Sequence, residues 1–242
     1  AKIVLLAPFE GRYREVGYNA LYAARLAFAD SGAQNIDLYP VDDGESPESA
    51  AQRAAAFNYE PTVKLIIVLG IDAADETVQE ALAPLPTIIV GHWNSVPSFS
   101  HVVMLADPTI DERVSSFSSL TDAAEAEAPL VGDELLALQQ LPLLREDLNG
   151  ITVLSSAILP DAAFRARYGQ GDPFAPQPGL LATLTYDATR LAIEVIQNET
   201  PLTEMHYDGI NGSIAFENGY WMNAPLYEYI YRDGDLVPAS PQ

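Results

Sequence analysis

Cysteine is absent from the 242 residues, which removes disulfides, thiolate nucleophiles and thiolate metal sites at once. Basic residues are scarce: 12 Lys and Arg stand against 34 Asp and Glu, a formal charge of −22. Such a charge repels nucleic acid and anionic lipid at long range, so neither is expected as a partner. No apolar run approaches the roughly 20 residues of a membrane-spanning helix. The opening Ala1-Lys2-Ile3-Val4-Leu5-Leu6 is too short for the core of an export signal, and the segment reads as mature or trimmed, with no membrane insertion. Internal repeats and low-complexity runs are missing as well. The three histidines, His92, His101 and His206, form no H-x-x-x-H or H-E-x-x-H pattern, and neither a G-x-S-x-G elbow nor a G-K-S/T phosphate loop occurs. The reading is therefore not an enzyme, although acids are abundant enough that counting them does not exclude a carboxylate dyad. No cofactor or metal is expected. Asp42-Asp43 reads as a turn with a helix-capping role.

What the chain does contain is apolar content sufficient for one large or two small cores: 48% hydrophobic residues with mean hydropathy near zero. Short apolar strands alternate with amphipathic segments. Ile3 to Ala7 is expected as a buried strand, Glu15 to Asp30 as a helix, Ile36 to Val41 as a strand and Glu48 to Phe57 as a helix. Leu65 to Leu69 reads as a strand buried on both faces, Asp72 to Leu82 as a helix, Thr87 to Val90 and Val102 to Leu105 as strands. This βαβαβαβ order predicts a parallel, doubly wound sheet that binds ligands at the carboxyl ends of its strands. Beyond His92 the pattern changes. Pro108 stands where a hinge is expected, Thr109 to Glu127 is predicted helical, and Leu130 to Glu134 is a short strand and turn before a Leu/Gln-rich helix to about Leu144. Gly150 to Ser155 is a strand and Ala162 to Tyr168 a helix. Gly169 to Gly179, with Gly171 and prolines at 173, 176 and 178, is the clearest linker. Leu180 to Gln197 is the longest helix, and Ser213 to Phe216 with Leu226 to Tyr231 read as paired strands.

Several segments, in order, resemble the type I periplasmic solute-binding proteins, the leucine/isoleucine/valine-binding group that delivers solutes to ABC importers. Ile36 to Ala51, with Asp42-Asp43, Pro47 and Ala50, is similar to the D-D-x-x-x-P-x-x-A signature of the first lobe. Gly150-Ile151-Thr152-Val153 with Phe164 to Gly169 resembles a second-lobe strand and the F-x-x-x-Y-G helix end. Tyr186-Asp187-Ala188 resembles the Y-D-A helix that returns to the first lobe, Gly212 to Gly219 the G-x-x-x-F-D-x-x-G crossing, and Tyr229 to Gly234 the closing strand. The resemblance implies an α/β fold of two doubly wound lobes. Residues 1–105 and 178–208 would form the first lobe, and 106–177 with 209–242 the second. It also implies an extracytoplasmic protein that binds a small, amino-acid-like solute for an ABC permease. Roughly a hundred residues that relatives carry between Glu127 and Ala128 are missing, about the size of one small domain, so the second lobe should be a reduced lid. The alternative is a sensor ectodomain or interaction scaffold of the same fold.

In that family the ligand lies between lobes, which points to the loops Pro8 to Gly17, Gly70 to Asp75 and Gly91 to Phe99. Relatives hold a carboxylate with a Ser/Thr-rich loop; here Gly70 to Thr77 has lost most hydroxyls and gained acids, so a free carboxylate would be repelled. Arg12 and Arg14 could replace that function with their planar forks, or be solvated or paired with Glu10 and Glu15. The candidate contacts are Phe9, Arg12, Tyr13, Asp72, His92, Trp93, Asn94 and Ser95 from the first lobe. Asn94 aligns with the relatives' Thr, while Trp93, like Phe9 and Tyr13, is either a cleft wall or an aromatic packed beneath its loop. From the second lobe come Asp133 and Glu134, the latter aligned with the acid that faces the ligand's ammonium group, although acids at such turns are often only N-caps.

Overall fold

The computed structural model describes residues 1–170 and 172–240, which leaves Gly171 of the linker, and Pro241 and Gln242, outside the described residues. The first half follows the expected alternation: β1 (Lys2–Ala7), α1 (Arg14–Ser31), β2 (Asp37–Asp42), α2 (Pro47–Phe57), β3 (Val63–Val68), α3 (Glu76–Leu82), β4 (Thr87–Val90) and β5 (Val102–Leu105). After these come α4 (Leu120–Glu125), β6 (Leu130–Gly132), α5 (Leu141–Leu144), β7 (Ile151–Ser155), α6 (Ala162–Tyr168) and α7 (Leu180–Asn198). The chain ends in β8 (Tyr207–Gly209), β9 (Gly212–Ile214), β10 (Phe216–Glu217), β11 (Tyr220–Trp221), β12 (Tyr227–Arg232) and β13 (Asp235–Pro238).

Seven strands form the first sheet in the order β10-β11-β5-β4-β3-β1-β2, with β1 to β5 parallel throughout. Strands β1, β3, β4 and β5 are apolar runs because both faces are covered; Ile3 to Ala7, Leu65 to Val68, Ile88 to Val90 and Val102 to Leu105 are all buried. The one strand with Pro40 is β2, which pairs only with β1 and therefore lies at the edge, where a missing N–H costs nothing. Helix α1 ends on Gly32, whose φ of 60° gives the left-handed turn that lets the chain leave the helix. Helix α7 packs on α1 and on β3 and β4, so it belongs with the first sheet.

The second sheet is smaller. Its four strands run β13-β12-β7-β6, with β6 and β7 parallel and β12 antiparallel to β7. Architecture is thus α/β with two main sheets, the second reduced relative to the first as the resemblance implied, and a separate two-stranded sheet, β8–β9. Two helices expected there are broken. Between Thr109 and Glu127 only a 3₁₀ turn at Ile110–Glu112 and α4 are helical. The run Ser115 to Ser119 separates them, because Ser115 N–H donates to Val131 O (2.7 Å) and Ser119 caps α4 through Asp122 N–H. The Leu/Gln-rich stretch likewise divides into a 3₁₀ turn at Glu134–Ala137 and the short α5, which starts at Leu141 and holds Pro142 in its first turn, where proline fits.

The C-terminal pairing also differs from expectation. Ser213 and Ile214 lie in β9, which pairs with β8, and β12 pairs with β7 and β13, so the two expected strands do not meet. Residues 216–217 and 220–221, assigned by sequence to the second lobe, extend the first sheet instead. Trp221 drives this: it is fully buried, its indole N–H donates to Ser213 O (2.8 Å), and Met104 N–H donates to Gly219 O (2.8 Å). The last passage to the second sheet accordingly comes between Trp221 and Tyr227, not near Gly209.

A buried carboxylate ties these passages together. Asp187 of α7 accepts from Ile210 N–H (2.9 Å), Asn211 N–H (2.9 Å) and the Asn211 side chain (2.7 Å), while Asn211 Oδ1 accepts from Ile158 N–H (2.8 Å) just beyond β7. Nearby, Asp107 N–H donates to Ser156 Oγ (3.0 Å), joining the first passage to the second. Burial pushes the Asp187 carboxyl up, and the three donors pull it back. Gly209 is required here, since a Cβ would lie 2.5 Å from the Asp187 carboxyl. Asp187→Ala should leave three donors unpaired, two of them buried, and lower unfolding stability by about 2–4 kcal/mol. The check is a urea titration, in which an unchanged midpoint would show the junction to be dispensable.

Candidate functional site

The carboxyl ends of β1, β2 and β3 converge on one cleft. Asp42, the last residue of β2, accepts from Phe9 N–H (2.8 Å) and Glu10 N–H (2.9 Å), which fixes the loop after β1, and from Gly44 N–H (3.0 Å) in its own turn. Arg53 of α2 closes the arrangement with a 2.7 Å ion pair. Burial would raise the Asp42 carboxyl, but Arg53 and the two loop N–H groups hold it below the usual carboxylate range. Neither Asp42 nor Asp43 caps α2; Ser46 does, accepting from Ser49 N–H.

The cleft above this framework has a volume of ≈ 370 Å³ and is lined by Pro8, Glu10, Arg12, Tyr13, Asp43, Glu45, Asp72, Ser118 and Ser119. Three successive βα loops of the first sheet make one wall and the serines before α4 make the other. Asp43 is only 1% exposed; burial, with the charges of Asp42 and Asp72 beside it, pushes its carboxyl up to about 6. Asp72 is raised as well, by burial and by Asp75, Glu48 and Glu45. Bonds between the two walls hold the width. Arg12 donates to Thr121 Oγ1 (3.0 Å), Leu120 N–H donates to Tyr13 Oη (3.0 Å), and Gln140 Nε2 donates to Arg12 O (2.8 Å).

The loop after β4 does something else. Trp93 and Asn94 both adopt positive φ, 57° and 51°, an unusual pair for non-glycine residues. That backbone turns Trp93 inward, where it is buried and donates to Val90 O (2.7 Å). Asn94 bonds Phe117 O (2.7 Å) and Ser95 bonds Ala74 O (3.0 Å). His92 is buried between carboxylates of the second-sheet side: Nδ1 lies 2.9 Å from Asp133 and Nε2 2.5 Å from Asp111. With both ring nitrogens donating, the ring is an imidazolium. Burial alone would depress its pKa, but Asp133 and Asp111 push it up to about 9. Glu134 completes the cluster, accepting from His92 N–H (3.1 Å) and from Ser155 Oγ (2.6 Å). Burial and Asp133 raise its carboxyl.

Of the residues expected to touch a ligand, the structure brings Arg12, Tyr13 and Asp72 to the cleft. His92, Asp133 and Glu134 are instead joined to one another. The space left beside Glu134, bounded by Glu15, Asn19 and Leu180 among others, is ≈ 10 Å³, about one water. Trp93, Asn94 and Ser95 are taken up by backbone carbonyls and do not line the cleft. Phe9 packs edge-on against Tyr18 at 5.9 Å. Asp43, Glu10, Glu45 and the two serines were not foreseen as contacts. Asp43 lay inside the acid-rich signature, but a turn residue and a cleft residue look alike in sequence.

No protein-family profile matches the sequence, and no curated protein matches it. Solved structures do. A leucine-binding protein, LivK, from Thermotoga maritima superposes with a TM-score of 0.75 at 12% identity, covering 99% of this chain and 98% of that one. An ABC-transporter solute-binding protein from R. palustris, in complex with 4-hydroxybenzoate, gives 0.73 at 13% identity, with 100% and 96% covered. The fold is that of the type I periplasmic binding proteins. LivJ from Streptococcus pneumoniae, in complex with isoleucine, gives 0.70 at 12% identity over 98% and 99%. At such identities the likeness to the type I binding proteins concerns the fold, and the chemistry of the cleft has to come from this chain's own side chains.

The imidazolium cluster carries a stability consequence. The folded His92 pKa of about 9 stands above its ordinary value of 6.5, so its stabilisation is complete below the ordinary value and is lost as pH rises through about 9. The urea midpoint of the wild type should fall across that window more steeply than that of His92→Asn. Parallel curves for the two proteins would show that the cluster is not charged as described.

Proposed function

We propose that this chain is an extracytoplasmic solute-binding protein that holds a small molecule in the cleft between the loops after β1, β2 and β3 and the serines before α4. The observation that carries this reading is the cleft's position. It lies beside the β1/β3 boundary, where strand order reverses in the doubly wound sheet and where such sheets bind ligands. Its ≈ 370 Å³ suits a compact solute. Proteins that share the fold include solute-binding proteins in complex with benzoate, 4-hydroxybenzoate, isoleucine and leucine, which supports a binding role over catalysis. Delivery to an ABC permease and an amino-acid-like solute belong to the same proposal.

Residues 1–105 with 178–208 act as one lobe in this reading, joined by the short strands at 216–221, and the remainder acts as the lid. Both the wall-to-wall bonds from Arg12 and Tyr13 and the His92 cluster are polar contacts between the two parts. A hinged opening would expose groups that water can solvate, which suits the opening and closing known for such folds. The sensor or scaffold reading is favoured by one observation: His92, Asp133 and Glu134 satisfy one another without any solute.

A thermal-shift screen with amino acids, amines and aromatic acids separates the two. At a hundredfold excess over Kd a solute adds about 2.7 kcal/mol, a rise in Tm of about 5–10 °C. Ser118→Trp, which fills the mouth of the cleft, should abolish that rise, whereas Ser213→Trp, on the distant β9, should not. A shift that survives Ser118→Trp would place the solute elsewhere.

A further inference from the structure

The polar contacts between the two main sheets and their loops are of two kinds. Arg12 to Thr121 (3.0 Å), Asn94 to Phe117 O (2.7 Å), Gln140 to Arg12 O (2.8 Å) and Gln139 N–H to Glu15 (2.8 Å) lie at exposed positions, where water replaces a lost partner at little cost. The His92 set is enclosed. His92 is 1% exposed, Asp133 5% and Glu134 1%, and among the described residues no Lys or Arg bonds Asp111, Asp133 or Glu134. The loop after β4 is shaped to deliver the ring to these acids. Gly91, at φ +85°, would carry a Cβ only 3.3 Å from Glu134 Oε2 and Leu181 Cδ2, so a side chain there would crowd the acid. Trp93 and Asn94 hold positive φ, and the bond from Trp93 to Val90 O keeps the turn beside His92 in that form. Behind Glu134, between Glu15 and Asn19 of α1 and Leu138 of the second-sheet side, the space of ≈ 10 Å³ is about one water. The protein's own groups fill the seam.

We propose that His92 is a latch: its ring fastens the loop after β4 to Asp133 and Asp111, and its backbone N–H to Glu134, so that the closed arrangement of the two sheets is the resting state of the chain and opening is the step that has to be driven. A hinged opening takes the cation away from the acids and leaves Asp133 and Glu134 side by side without it, which breaking a buried ion pair makes costly. The groups that face the ring are Asp111 from the 3₁₀ turn after β5 and Asp133 and Glu134 from the turn after β6. Ser155 of β7 bonds Glu134, Tyr220 of β11 faces Asp111, and Glu15 of α1 stands across the small space. Acids dominate this set and hold the imidazolium to about pH 9. The latch is therefore fastened at neutral pH and releases as pH rises through about 9. It acts whether or not the outer cleft takes a solute. A solute that needs the open form binds with an affinity reduced by the fraction of chains that are open.

The chain has no native cysteine, so Tyr59→Cys in the turn before β3 and Leu143→Cys on α5, at positions 88% and 83% exposed, put one nitroxide on each side of the seam. Pulsed spin resonance then reads the distance between them. Without added solute at neutral pH a single narrow distance should appear, together with small-angle scattering that matches the structure. Raising the pH through about 9 should add a longer distance, and His92→Gln should show it already at neutral pH, its share raised at least ~10-fold. Asp111→Asn should bring the opening to lower pH, a shift that a merely structural bond would not produce. Gln140→Ala, which removes a bond across the same seam, should leave the distance as it was. Circular dichroism separates opening from unfolding, and the pH series on the labelled parent decides the matter if His92→Gln does not fold. A long or broad distance in the parent at neutral pH, or a narrow one that persists in folded His92→Gln or in the parent well above pH ~9, would overturn the latch. Equal opening in Gln140→Ala would overturn it too, by spreading closure over the whole seam. None of these outcomes alters what the thermal-shift screen says of a solute in the cleft.

Discussion

Asp187 is the constraint on which the arrangement of the two sheets depends. A carboxylate with no exposure is tolerable only when its oxygens are met by donors held in place. Here the donors come from the turn between β8 and β9, and Asn211 passes the connection on to Ile158 beyond β7. One side chain on α7 thereby fixes how a helix of the first sheet, a hairpin and the exit from the second sheet are placed. Hydrophobic packing supplies most of the stability in each half, but it is not directional. The position of one half against the other needs bonds with geometry, and this junction provides them.

Away from the junction, the halves meet through charge. The His92 cluster sets an imidazolium among Asp111, Asp133 and Glu134, while the cleft a short way along the same sheet edge sets four acids against the one guanidinium of Arg12. The two places are opposite solutions to the same problem in a chain with 34 acids and 12 bases. Where the protein owns a cation, the contact is closed and leaves room for about one water. Where acids outnumber the cation, space remains. That contrast, more than the fold, distinguishes the candidate site from the rest of the edge.

The strands of the first sheet were legible because buried parallel strands are continuous apolar runs between turn residues, and Thr87 to Val90 or Ala162 to Tyr168 could be bounded to the residue. Composition failed where tertiary bonds overrule helical propensity, as in Ser115 to Ser119, whose backbone is captured by Val131. It failed again at Trp221, since nothing local reveals that two residues will join a sheet formed by strands more than a hundred positions earlier. At the cleft, Arg12, Tyr13 and Asp72 stand together because topology places loops after parallel strands at one edge. His92 and Glu134 stand at the boundary between the sheets, where they bond within one cluster. Their true partners, Asp111 and Ser155, are ordinary polar residues in sequence, and only three-dimensional proximity makes the set self-sufficient.

Pro40 and the short β10–β11 pair stand at the two margins of the seven-stranded sheet. A parallel sheet of apolar strands is a template onto which another chain could add, unless its outermost backbone is made unattractive. On one side Pro40 withholds a donor and Asp37 and Asp42 bring charge, while on the other an antiparallel turn of two residues per strand leaves too little length for a neighbour to grip. The sheet is in effect hemmed. A concentrated, crowded compartment can therefore hold this chain without its largest apolar element seeding fibrils, and any contact with another protein has to be made by side chains on the faces and loops.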